Sequence, residues 1–271
     1  MIGQIGLQSN IQELADRGAF PRFSIIVGKK GSGKKLLGKT IANMLGYSYL
    51  VWQNKIDDIR SLIQYMWEQD KPTVYCIPDY EDMSLGARNA ILKVCEEPPN
   101  NAFIILTSSL KEIILPTILG RGTTFEMQGY SEEDLIKVAE ENYSNFEFED
   151  AKRKVRFCEN PGEVINCENI NAEEFNNFVD KLWTNIGVAS AGNLLKVTSN
   201  IKLKEDGAGY DLDLFVNSLM RFNEESPVDE RKSKIYGELL KAKRDISLKY
   251  NKQYIVDNLL LNLRGIKNGT I

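Results

Sequence analysis

Histidine is absent from the 271 residues, and the four cysteines, Cys76, Cys95, Cys158 and Cys167, never fall at C-x-x-C spacing. A zinc cluster is therefore not expected, nor is a disulfide framework in a chain of this length. The cysteines read as buried free thiols. The chain also lacks an apolar run near the roughly 20 residues that cross a bilayer. The opening "MIGQIGLQSN" lacks the basic stretch and apolar core of a secretory signal. A soluble, cytoplasmic protein with no membrane partner is the expectation. Basic excess is missing too: net charge is −4, so global electrostatics give no reason to wrap nucleic acid. With 42% hydrophobic and 27% charged residues, the composition is that of an ordinary globular chain with room for two or three domains.

What is present begins with alternation. Three short apolar runs, Phe23–Gly28, Thr73–Ile77 and Ala102–Ser109, read as buried strands. Between them lie amphipathic helical segments: "KKLLGKTIANML", with Leu36, Leu37, Ile41 and Leu45 on one period, "IDDIRSLIQYMWEQ", and "SLGARNAILKVCEE". The last is begun by Ser84 and ended by Pro98-Pro99. Strand–helix alternation predicts an α/β domain with a mostly parallel sheet covered on both faces. Near Gly129 the texture changes. Ser131 and Asp134 mark a helix start, and Leu135–Tyr143, Asn171–Trp183, Leu212–Phe222, Lys234–Tyr250 and Gln253–Leu263 all read as amphipathic helices. No strand is expected there, and "KEDGAGYD" (Lys204–Asp211) reads as a loop or a mobile turn between helices. Leu259, Leu260, Leu261 and Leu263 span too wide an arc for one stripe and suggest a helix packed on several sides.

The segment Gly28–Lys34 meets the phosphate-loop pattern G-x-x-x-x-G-K-[ST] at Gly28, Gly33 and Lys34, in the required strand–turn–helix context. Backbone N–H groups of Gly31, Ser32 and Gly33 and the helix start would form an anion site, with the Lys34 ammonium among the outer phosphates. Lys29, Lys30 and Lys39 read as solvated. The pattern then fails, because Lys35 stands where a hydroxyl should reach Mg²⁺. An ammonium has no lone pair to offer a metal. Lys35 either adds positive charge near the phosphates or points to solvent. The acidic motif that should close the second strand is displaced as well: Pro78 takes the aspartate's place, and Asp79, Glu81 and Asp82 come late. Two damaged magnesium positions argue for weak or absent hydrolysis, with metal binding by Asp79 through a shifted turn as the competing reading.

The stretch "ARNAILKVCEEPPNNAFIILTSSLKEIILPTILGRGTTFEM" resembles the clamp-loader subunits of bacterial DNA polymerase III, an AAA+ family. "IGQ" (Ile2–Gln4) and "FPRFSIIVGKKGSGKK" are similar to that family's start. Among its members the chain resembles delta-prime more than the gamma motor. The nucleotide motifs are impaired, "ENPGEVI" (Glu159–Ile165) places Gly162 where motors carry a sensing arginine, and the last helix is similar. The four-cysteine zinc module of many relatives is missing, with no cysteine between Leu45 and Val74.

The resemblance implies a RecA-like domain over residues 1–129, a helical lid over 130–187 and an all-α collar over 188–271. It implies that ATP or ADP could be held by Gly28, Gly31, Ser32, Gly33, Lys34, Lys35, Asp79 and the sensor-position Thr107, with Mg²⁺ doubtful, no resident metal and no zinc. It aligns Gly120-Arg121-Gly122 with a Ser-Arg-Cys motif, so Arg121 would act in trans on a neighbour's ATP. On the residues alone, Arg121 reads as a surface arginine. The implied partners are gamma/tau-like and delta-like subunits and, through the assembly, the sliding clamp and primer–template DNA. A competent ATPase motor and a small-molecule phosphotransferase remain as rival readings. Glu96 and Glu97 read as solvated or capping carboxylates. Met44, Met66 and Met83 read as core.

Overall fold

The computed structural model describes residues 1–201 and 209–270. The chain divides into two compact units, Met1–Asp134 and Leu135–Ile271.

The first unit is built on five parallel strands: β1 (Phe23–Val27), β2 (Ser48–Val51), β3 (Thr73–Ile77), β4 (Ala102–Ser108) and β5 (Thr123–Glu126), in the order β2-β3-β4-β1-β5. The helices between them are α1 (Ile5–Asp16), α2 (Lys34–Leu45), α3 (Ile56–Glu68), α4 (Leu85–Glu96) and the single turn α5 (Pro116–Leu119). Successive residues of a strand point to opposite faces, so an unbroken apolar strand feeds two cores. Ile25, Tyr75, Ile77, Ile104 and Leu106 pack with Ile59, Leu62 and Met66 of α3 and Ala87 and Ile91 of α4. The alternate set, Ile26, Val74, Ile105 and Phe125, packs with Ile11 of α1 and Leu37, Ile41 and Ala42 of α2. That is why β1, β3 and β4 read as continuous hydrophobic runs.

The expected strands end one residue early, at Val27 and Ser108. β2 and β5 went unread because each is a short edge strand with one buried residue at most, as in the exposed ends of Ser48–Val51. Leu36 shares the apolar spacing of α2 but is 52% exposed, so the buried apolar stripe runs through Leu37, Ile41 and Ala42 instead. Met66 and Met83 are core, and Met44 packs against the second cluster.

The second unit contains α6 (Glu132–Asn142), whose first turn lies in the first unit, then α7 (Phe148–Val155), α8 (Pro161–Asn166), α9 (Ala172–Asn185), α10 (Ala191–Leu195), α11 (Leu212–Glu225), α12 (Glu230–Ser247) and α13 (Lys252–Asn268). Among the described residues its only β pairing is the bridge Ile201–Tyr210. The segment Lys204–Asp211 lies mostly outside the described residues; Asp211 caps α11 by accepting from the Asp213 amide. α11 packs on α9 and α12, and α13 packs on α12 and α10. Leu259, Leu260 and Leu263 are all buried, together with Ile255, Val256 and Ile266, so α13 is covered over a wide arc.

Candidate functional site at the carboxyl edge of the sheet

In an open parallel sheet, ligands gather outside the carboxyl ends of the strands, where the strand order reverses. Here β1 lies between β4 and β5, and the chain leaves β1 for β2 on one side while β5 fills the other. The loop after β1, the turn after β3 and the end of β4 meet at that edge.

The first of these is the glycine-rich loop. The Gly28 amide donates to the Ser108 carbonyl at 3.1 Å, and the Ser32 amide to Lys29 at 3.1 Å. Gly33 caps α2 in the left-handed region at φ 90°, and Gly31 sits at φ 82°. A Cβ on Gly28 would lie 2.8 Å from Ser32 Oγ and 3.0 Å from Met127 Cβ, so close approach requires glycine there. Lys34 is buried. Its Nζ donates to the carbonyls of Gly28 at 2.7 Å and Lys29 at 3.0 Å, which draws the ammonium across the loop. Burial holds its pKa below the ordinary lysine range, against the opposing pull of Glu81 and Asp79. An ammonium has three protons; two are spent on the loop, and one remains for a phosphate oxygen.

The second element is the turn after β3. Pro78 is followed by Asp79 in the left-handed conformation at φ 54°, then by a 3₁₀ turn over Tyr80–Asp82. The Asp79 amide donates to Thr107 Oγ1 at 3.1 Å, which ties this turn to β4 through a buried threonine. Asn54 Nδ2 donates to the carbonyls of Pro78 and Asp79, both at 3.1 Å. The Asp79 carboxylate lies 3.7 Å from the Lys35 ammonium. Lys35 therefore faces Asp79 across the motif, with 55% of its side chain exposed.

Glu81 was missed as a site residue. Its carboxylate accepts from Ser108 Oγ at 3.3 Å and from both the amide and hydroxyl of Ser109. The signal was the acidic run "PDYEDMS", of which Asp79 alone reads as a nucleotide-site candidate. Only the left-handed turn reveals that Glu81 swings back toward β4. Tyr130, also unread, donates its hydroxyl to the Ser32 carbonyl at 2.6 Å and pins the loop from the far side.

Thus Gly28, Gly31, Ser32, Gly33, Lys34, Lys35, Asp79 and Thr107 come together. Arg121 does not join them. It follows α5 and precedes β5, whose Thr123 is in register with Ser24 near the start of β1. It lies at the opposite edge of the sheet, roughly 13 Å of strand length from the loop. There Nη2 pairs with Glu96 and Nη1 donates to the Thr117 carbonyl. Glu96 is thus an ion-pair partner as well as a helix-end residue. The neighbouring Gly122 has a packing reason: a Cβ there would lie 2.8 Å from the Phe23 ring, so bulk at this position is excluded.

Residues 7–131 match the model of the family described as DNA polymerase III, delta subunit. This region, just under half of the chain, is similar to that family. DNA polymerase III subunit tau of Bacillus subtilis is 30% identical over 83 residues, 31% of this chain and 15% of that protein. DNA polymerase III subunit gamma of Buchnera aphidicola subsp. Schizaphis graminum is 33% identical over 87 residues, 31% of this chain and 24% of that protein. The matched part of the chain thus spans less than a quarter of the length of either relative. The Thermotoga maritima RuvB Holliday junction branch migration motor superposes with a TM-score of 0.53 at 15% identity, covering 96% of this chain and 87% of that one. That likeness shows the AAA+ fold, with its α/β sheet and helical C-terminal part. No helix among the described residues is long and apolar enough to cross a membrane.

Proposed function

We propose that this clamp-loader-type AAA+ subunit works as a delta-prime-like member of its assembly: a rigid, mostly non-hydrolysing scaffold that lends Arg121 to a neighbour's ATP site. In this reading residues 130–187 form a lid and 188–271 a collar that joins gamma/tau-like and delta-like subunits in the cytoplasm. The assembly then places a sliding clamp on primer–template DNA.

The observation that carries the reading is the Lys35–Asp79 pair: a cation stands where the loop should supply a metal-ligating hydroxyl, and it faces the carboxylate that follows Pro78, the residue in the metal-binding aspartate's place. Phosphoryl transfer depends on positioned charge around the γ-phosphate. The phosphate loop keeps its binding geometry through Lys34 while the hydrolytic positions are filled by other chemistry. Arg121 stands apart from this loop, on the edge that its own nucleotide would not reach. A guanidinium there can bind phosphate oxygens in a fork, and five donors allow it to keep a carboxylate while engaging a neighbour.

The test is a reconstituted loader carrying Arg121→Ala. DNA-stimulated ATPase should fall while assembly, followed by size-exclusion chromatography, is retained. Unchanged ATPase would remove the trans-arginine role. The competing motor reading draws support from the Asp79–Thr107 bond, which fixes an acidic turn beside Lys34. It predicts ATP turnover by the purified chain alone, lost in Lys34→Ala.

A further inference from the structure

Magnesium does not fit the residues beside the phosphate loop. Lys35 offers no lone pair, and Pro78 offers no side-chain oxygen. The Asp79 carboxylate faces the Lys35 ammonium at 3.7 Å, and the Glu81 carboxylate is taken up by Ser108 and Ser109. Among the described residues no group of three or more His, Cys, Asp or Glu could hold a metal ion. A divalent ion that wants near-octahedral oxygen ligands has little to grip.

We propose that the chain holds a nucleotide's phosphates without a divalent ion, with Lys35 as a tethered counter-cation in the metal's place. The inference rests on reading Gly28–Lys34 as a phosphate loop. It deepens the proposed scaffold role by stating what the loop takes: the metal-free nucleoside di- or triphosphate.

Two adjacent ammonium groups support it, each held differently. Lys34 is pulled over the loop by Gly28 and Lys29. Lys35 stands on the first turn of α2 with its backbone carbonyl accepting from Tyr49 Oη at 2.8 Å. Asp79 holds its ammonium on the side of the β3 turn. The helix start adds backbone N–H groups and the positive end of the α2 dipole. Asp79 is itself fixed through Thr107 and Asn54, so Lys35 is oriented by a chain of bonds running back to β4. A magnesium-complexed nucleotide would bring a second cation against this lysine, and like charges at close range repel. Free nucleotide therefore binds at least as tightly as its magnesium complex.

The experiment is equilibrium binding of fluorescent (mant-labelled) ADP and ATP to the full chain, in EDTA and in excess Mg²⁺. The dissociation constant in EDTA should equal or fall below that in Mg²⁺. Lys35→Ala should weaken binding in EDTA by about tenfold or more, the scale of one charge-assisted hydrogen bond. Lys35→Arg, which keeps the charge, should stay within a few-fold of the parent. Circular dichroism of each variant establishes that it is folded. Binding that needs Mg²⁺, binding indifferent to Lys35→Ala in a folded variant, or no binding in either buffer would overturn the proposal. None of these outcomes touches the Arg121→Ala result in the assembly, so the two readings fail separately.

Discussion

Arg121 and Glu96 form an ion pair at the sheet edge opposite the phosphate loop, with the Thr117 carbonyl accepting from the same guanidinium. The pair joins the end of α4 to the turn after α5, so the direction of the guanidinium is set by contacts within its own chain. The side chains are 35% and 47% exposed, which makes the pair worth little as a source of stability. Its value lies in orientation.

Glu96→Gln should therefore shift the melting temperature very little, corresponding to less than about 1 kcal/mol. In the reconstituted loader it should lower DNA-stimulated ATPase, but by less than Arg121→Ala does. Equal ATPase in Glu96→Gln and parent, measured beside a defective Arg121→Ala, would show that Glu96 does not position the arginine.

The phosphate loop makes a conformational prediction. Gly33 holds φ at 90°, where an L side chain is strained even though the surrounding space would admit a methyl. Gly33→Ala should destabilise the first unit by roughly 1–2 kcal/mol and weaken nucleotide binding by distorting the start of α2. Gly28→Ala acts by another route, since its methyl would meet Ser32 Oγ and Met127. Binding isotherms and urea melts of both variants check this. Parent-like binding by Gly33→Ala would mean that the loop does not need its left-handed cap.

Much of this architecture was legible because the central strands are buried on both faces. Phe23–Val27, Thr73–Ile77 and Ala102–Ser108 announce themselves as apolar runs, and the Gly28–Lys34 loop is a local motif with local causes. β2 and β5 did not, because edge strands with exposed positions carry no such run. Asp79, Lys35 and Thr107 were legible as candidates, but their mutual contacts are long-range. The Thr107 hydroxyl reaches the Asp79 amide across 28 positions, and no local pattern encodes that. Glu81 stayed hidden for the same reason: its role depends on a left-handed residue that is not glycine. The Glu96–Arg121 pair spans two helices' ends and reads in the sequence as two unrelated surface charges.

In the second unit, the buried carboxyl of Glu163 links stability to pH. It accepts from the Glu159 amide at 2.7 Å and from Asn217 Nδ2 at 2.9 Å, and burial pushes its pKa from 4.5 up to about 7. The folded state therefore binds this proton more tightly than the unfolded chain does. Its stabilising effect is complete below about pH 4.5 and is lost as pH rises toward 7. The full difference is about 3 kcal/mol. Glu163→Gln should remove this dependence. It also gives the site an N–H donor near Asn217 Oδ1, a buried acceptor without a hydrogen-bond partner. Thermal melts should place the variant above the parent at pH 8 and close to it at pH 5. A variant less stable than the parent at pH 8 would contradict the assignment.

The four cysteines offer a reporter for each unit. Cys76 and Cys95 lie in the first, Cys158 and Cys167 in the second, and all are buried free thiols. Burial raises the pKa of Cys76 and Cys95. Cys158 is raised first by its hydrogen-bond contact with Cys167, 3.6 Å away, and then by burial. Only the thiolate attacks a disulfide reagent, so native protein at pH 8 should react negligibly with Ellman's reagent, whereas the denatured chain should titrate all four. Reaction of the native protein then waits on opening of each unit, and its extent tracks the stability of that unit. Glu163→Gln, which should stabilise the second unit at pH 8, should slow labelling of Cys158 and Cys167 while leaving Cys76 and Cys95 unchanged. Peptide mapping by mass spectrometry separates the two pairs. Uniform slowing at all four sites would mean that the units open together, and prompt labelling of native Cys158 would show that its thiol is more accessible than its burial implies.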